Sequence, residues 1–111
     1  MEHLSADAKK IVEESPHASQ LTEVVVFTKA ALDELAIQPT ELQWTILVNH
    51  LNEMIKRWLN KEELQNVDIS LFTEVSAESI ALAERIAEKI GGMPKEEAYV
   101  LSIHFESAKM N

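Results

Sequence analysis

No cysteine occurs among the 111 residues, which removes disulfides, zinc–thiolate centres and cysteine nucleophiles from consideration. Glycine is found twice and proline three times, so residues that tight turns demand are scarce. A β-sandwich needs such turns at short intervals, and their scarcity points to helices joined by a handful of loops. Basic residues are also few: ten Lys and Arg stand against nineteen Asp and Glu, a formal net charge of −9. Nucleic-acid binders neutralise phosphates with clustered cations. Here the only adjacent basic pairs are Lys9-Lys10 and Lys56-Arg57, so direct DNA or RNA binding by this chain is not expected. Apolar runs fall far short of the ~20 residues that cross a bilayer. The segment from Met1 to Asp7 lacks the basic start and apolar run of a signal peptide. The expectation is a soluble, cytoplasmic protein with no membrane partner.

What is present suits one small core. The chain is 46% hydrophobic and 26% charged, and a length near this buries roughly two-thirds of its unfolded surface. Ser5 caps a short acidic helix to about Glu14, ended by Ser15-Pro16. This stretch is weakly apolar and reads as an extension over residues 1–17, as easily frayed as docked. From residue 18 to residue 111 the pattern is that of one helical domain. Leu21, Val24, Val25, Thr28, Ala31, Leu32 and Leu35 step by three and four, predicting a helix over 18–36. Thr40 and Gln43 have capping-box spacing, opening a helix to about Leu59 with an apolar stripe of Leu47, Leu51, Met54, Ile55 and Trp58. The region 60–73 is irregular, with Leu71-Phe72 anchoring a short helix. Ser76 opens the next helix, facing inward with Ser79, Leu82, Ala83, Ile86 and Ile90, and Gly91-Gly92 stops it. Pro94 and the acidic pair Glu96-Glu97 begin the last, to about Lys109. The fold class is all-α: five core helices and one extra at the front.

Two histidines stand out because each lies in a long helical pattern with an ionisable residue two turns away on its own stripe. His50 has Arg57 seven residues on, and His104 has Glu97 seven residues back. Seven residues at about 100° each return to within roughly 20° of the starting direction. His50 lies about 60° from Leu47 and about 40° from Met54, at the border of the apolar stripe. His104 has Val100, Leu101, Ala108 and the Glu97 carboxylate nearby, a setting in which a carboxylate orients a half-buried imidazole. A helical His with an Arg on its stripe can carry a phosphoryl group. Taken singly, each reads equally as a satisfied histidine at the core boundary. His3 and His17 sit in polar stretches and read as solvated. Trp44, Trp58 and Phe72 read as core.

Enzymatic readings find no support. Helical di-iron sites want Glu-x-x-His on two helices, and neither His50 nor His104 has a Glu three residues before it. His50-x-x-Glu53 is a single pair, and no nucleophile-elbow motif is present. Neither a metal nor a cofactor is expected, and the chain is not expected to be an enzyme.

At the two histidines the chain resembles the PTS regulation domain (PRD) family, found in bacterial antiterminators and activators controlled by the sugar phosphotransferase system. The first motif reads Ile46-Leu47-Val48-Asn49-His50-Leu51-Asn52-Glu53-Met54-Ile55-Lys56-Arg57. The second, a Pro followed by acidic residues, apolar residues and a His, reads from Pro94 through His104 to Ala108. Ala30 to Ile37 looks like the helix and turn that precede the first motif, so the resemblance covers about Ser19 to the end. It implies a compact helical bundle that commonly pairs as a homodimer. It further implies that His50 and His104 accept phosphoryl groups from the phosphocarrier protein or a sugar permease component, with Arg57, Glu97 and Asn49 in supporting positions. Asn49 departs from the family's usual Asp before the first His, and the region 60–76 fits poorly. Family regulators usually carry two such domains behind a nucleic-acid-binding domain. One copy is present here, so an action on transcription of sugar-utilisation genes is expected to run through a separate effector protein. The alternative is an adaptor or dimerisation module that keeps the fold without phosphorylation.

Overall fold

The computed structural model describes residues 1–111 and is all-helical, with five α-helices: α1 (Ala6–Glu14), α2 (Ala18–Glu34), α3 (Glu41–Asn60), α4 (Ala77–Ile90) and α5 (Lys95–Lys109). The fifth of the expected core helices is a single 3-10 turn, Ile69–Phe72, between α3 and α4. Its Phe72 is buried and stacks on Tyr99 of α5, while Leu71 stays exposed.

Helix starts follow their caps. The Ser5 hydroxyl accepts the Ala8 N–H, and Ser76 accepts that of Ser79. Thr40 and Gln43 form a reciprocal capping box, at 3.1 Å and 2.9 Å, which satisfies two amides that a bare helix start would leave unpaired. Ends are harder with so little glycine. Ala36 after α2 and Lys61 after α3 take positive φ, the left-handed conformation that costs a residue with a Cβ roughly 1–2 kcal/mol. At α4 the glycines do take that role: Gly91 follows the helix, and Gly92 sits at φ 71°.

The leading segment is docked. Leu4, Ala8 and Val12 are buried in the same apolar core as the rest of the chain. Ser5 shares a hydrogen bond with Thr45 of α3, and Ser15 donates to the Asn52 side chain. His17, read as solvated, lies 3.2 Å from the Asn52 carbonyl, and His3 lies edge-on against Trp44 with ring centres 4.4 Å apart. Both reside against α3 because α1 folds onto that helix, a long-range event that local polarity does not encode. The radius of gyration, 13.1 Å, is that of a compact domain of this length with nothing trailing.

The core is built from the anticipated faces of three helices, Leu21, Val25 and Leu32 of α2, Leu47, Leu51, Met54 and Ile55 of α3, and Leu82 and Ile86 of α4, together with Leu101 and Phe105 of α5. One member of the expected stripe is misplaced. Trp58 is 41% exposed and packs against the α4–α5 turn, where a Cβ on Gly91 would stand 2.2 Å from its ring. Glycine at this position is therefore required by contact as well as by helix termination.

Candidate functional site

Helices α3 and α5 run antiparallel along one side of the molecule. Their register can be followed through side chains. Gln43 near the start of α3 donates to Asn111 past the end of α5, at 3.2 Å. Arg57 near the end of α3 meets Glu97 near the start of α5. Midway between, the rings of His50 and His104 face each other with centres 4.9 Å apart and planes tilted by 49°. Two histidines fifty-four residues apart in sequence thus form one pair, because both are seven residues from a partner that itself closes the seam.

The supporting residues make a different arrangement from the one that same-stripe spacing suggests. Glu97 does not orient His104. Both of its oxygens accept from Arg57, Oε2 from Nε and Oε1 from a terminal nitrogen, each at 2.7 Å. The Glu97 side chain is 2% exposed and that of Arg57 17%, so this is a largely desolvated bidentate ion pair. Its hydrogen bonds hold the Arg57 guanidinium above its usual range. Arg57 is consequently engaged, and not free beside His50. Asn49 lies exposed on α3 and makes no hydrogen bond. Spacing along one helix located all four residues, but an i, i+7 pair cannot compete with a partner directly across a helix seam.

Both imidazoles are half-buried and neither makes a hydrogen bond to the protein. The Nε2 of His50 is sealed from solvent without a partner. Burial pushes the His50 ring down to about 4, helped by neighbouring His104 and Arg57. Burial also lowers His104. At neutral pH the site therefore holds two uncharged imidazoles, each with a nitrogen lone pair, the form in which histidine is a nucleophile or a metal ligand.

The surroundings are apolar and open. Leu42 and Ile46 step by four towards His50 along α3 and are 69% and 48% exposed. On α5, Ile103 beside His104 is 48% exposed and Met110 is 84% exposed. These were missed at the sequence level, although a signal existed: Leu42 and Ile46 are large apolar residues off the core stripe and on the histidine side of α3. No three His, Asp or Glu side chains converge anywhere in the chain, and no helix is long and apolar enough to cross a membrane.

A family model described as the PRD domain matches residues 27–108. The chain belongs to the PRD family. The match contains both histidines and Arg57 and Glu97 between them. A crystal structure of a PRD-containing transcription regulator from Lactobacillus casei ATCC 334 superimposes with a TM-score of 0.92 at 38% sequence identity, covering 96% of each chain. That coverage takes in the front helix, which the PRD model leaves out. No curated protein sequence matches the chain.

Proposed function

We propose that this PRD is a phosphorylation-sensitive regulator, acting on transcription of sugar-utilisation genes through a partner protein. One observation carries the reading: the two motif histidines lie 4.9 Å apart, uncharged and without hydrogen bonds, with exposed Ile46 one turn before His50 and exposed Ile103 next to His104. The transcription regulator with the matching fold supports the regulatory part. The phosphotransferase system's phosphocarrier or a permease component is the donor expected from the family resemblance. In the transfer, a lone pair of His50 or His104 attacks phosphorus, the donor's N–P bond breaks, and a new N–P bond forms on this chain.

The product carries close to two negative charges in a seam whose one nearby cation already serves Glu97. The charge must then draw Arg57 away, open the α3–α5 seam, or alter what covers the apolar rim. The covering partner in this reading is a second copy, paired through the α3–α5 face as a homodimer. Couplings of this kind are typically about 1–3 kcal/mol.

The test is phosphoryl transfer from phosphoenolpyruvate through purified phosphotransferase components, read by intact mass and acid lability. Incorporation in the wild type that disappears in the His50→Ala/His104→Ala double variant is the expected result. Absence of any incorporation in the wild type ends the acceptor claim. A second reading is favoured by the sealed His50 Nε2 and by the engagement of Arg57 with Glu97: an adaptor that keeps the fold and binds its partner without phosphorylation. Under that reading the double variant binds the partner as well as the wild type does.

A further inference from the structure

The histidine pair has a property that phosphoryl transfer does not use. Two imidazoles from different helices are held side by side with planes tilted by 49°, and no carboxylate or amide shares a proton with either: Glu97 is fully occupied by Arg57 and neither ring makes a hydrogen bond. A pair of imidazole nitrogens is a donor set for a borderline-soft divalent cation. With Zn–N distances of about 2.0–2.1 Å and a tetrahedral angle, the centres of two ligating rings fall roughly 5 Å apart. The observed separation is 4.9 Å, so both rings can reach one ion with little change in the backbone of either helix.

We propose that His50 and His104 together chelate a zinc-class divalent cation in the α3–α5 seam. Since His50 Nε2 is sealed from solvent, His50 would bind through Nδ1; one chain supplies two ligands, and water, or the same pair from a second copy, fills the remaining positions. Two protein ligands make an exchangeable site and not a structural cage. Oxygen-seeking Mg²⁺ and Ca²⁺ are excluded by the absence of carboxylates at the pair. The proposal rests on this geometry and not on the acceptor reading. Under that reading, the ion occupies the lone pair that attacks phosphorus, so metal and phosphoryl group exclude each other.

The deciding measurement is calorimetric titration of the full chain with zinc chloride at pH 7.5, beside magnesium chloride, for the wild type, His50→Ala, His104→Ala and the double variant. Zinc is expected to bind once per chain, or once per two chains. Each single substitution should weaken it at least tenfold, the double variant should lose it, and magnesium should give no heat. No zinc binding by the wild type, or equal binding by the double variant, overturns the proposal. Ring-nitrogen NMR of the wild type guards against a misfolded variant. Zinc must move the signals of His50 and His104, and shifts confined to His3 and His17 would overturn it equally. Failure of phosphoryl transfer alongside normal zinc binding counts against the acceptor reading alone.

Discussion

Helix α5 has two differently built sides. Towards α4, Glu106 and Lys109 are tied into one polar network. Glu106 accepts from the Ser76 amide, the Ser76 hydroxyl and the Ser79 hydroxyl at 3.2, 2.8 and 2.6 Å. Lys109 reaches the Ser76 hydroxyl at 2.8 Å and Glu78 at 3.4 Å. Those hydroxyl donors, Ser79 foremost, hold the Glu106 carboxyl below its usual range. Towards α3, between the Gln43–Asn111 contact and the Arg57–Glu97 ion pair, two imidazoles make no hydrogen bond. A satisfied network fixes two helices in one register. An unmatched buried polar atom such as His50 Nε2 costs stability, so the α3 side of α5 is the less completely satisfied of the two.

The largest test of this contrast is removal of one half of the ion pair. Arg57→Ala leaves Glu97 as a buried carboxylate without a counter-charge. Breaking such pairs typically costs about 3–5 kcal/mol, and the 17% exposure of Arg57 places the expected loss near the lower end. In urea unfolding the midpoint should fall with little change in slope. The joint replacement Arg57→Met/Glu97→Leu should recover most of the loss, since no charge is then stranded. If Arg57→Ala costs less than about 1 kcal/mol, water reaches Glu97 and the seam is wetter than its geometry implies.

A smaller effect separates the two sides by pH. His50 is depressed to about 4 when folded against about 6.5 in an unfolded chain. Between those values the unfolded state binds more protons, so stability rises with pH through this window. The contribution is complete above about pH 6.5 and is lost as pH falls towards 4. At 1.36 kcal/mol per unit, the difference amounts to about 3 kcal/mol at most, with His104 adding in the same direction. Denaturation at pH 7.5 and pH 5 should show a drop that His50→Gln largely removes. Glu106, depressed from the carboxylate range, loses its contribution only at lower pH. An identical pH slope in wild type and His50→Gln would mean that the imidazole is solvated.

The helices themselves were written locally. Ser5, Thr40, Ser76 and Gly91 mark ends that the structure reproduces almost to the residue, because caps and helical periodicity act over three or four positions. His50 and His104 were likewise legible, since both lie in patterned helices with an ionisable residue at i±7. Partnership across helices was not. Arg57 and Glu97 are forty residues apart, and each was read against the histidine on its own stripe. Trp58 fitted the apolar stripe of α3, yet its ring packs closely against the glycine turn after α4 and stays 41% exposed. The docking of residues 1–17 depends on Thr45 and Asn52 on the back of α3, about which the front segment carries no local sign.

The α4 side of α5 offers the smallest and sharpest comparison. Ser76→Ala removes the N-cap of α4, for which a loss of about 1 kcal/mol is typical, and also one of three donors to Glu106. Ser79 still donates to that carboxylate, and Lys109 keeps Glu78, so the network loosens without stranding a charge. The expected cost is therefore about 1 kcal/mol, well below that of Arg57→Ala. It should be independent of pH between 7.5 and 5, since no histidine takes part. Because the change lies across α5 from the histidine pair, ring-nitrogen NMR signals of His50 and His104 should stay in place. If they move as far in Ser76→Ala as in Arg57→Ala, the two sides of α5 are mechanically one unit, and the division between a fixed side and a responsive side fails.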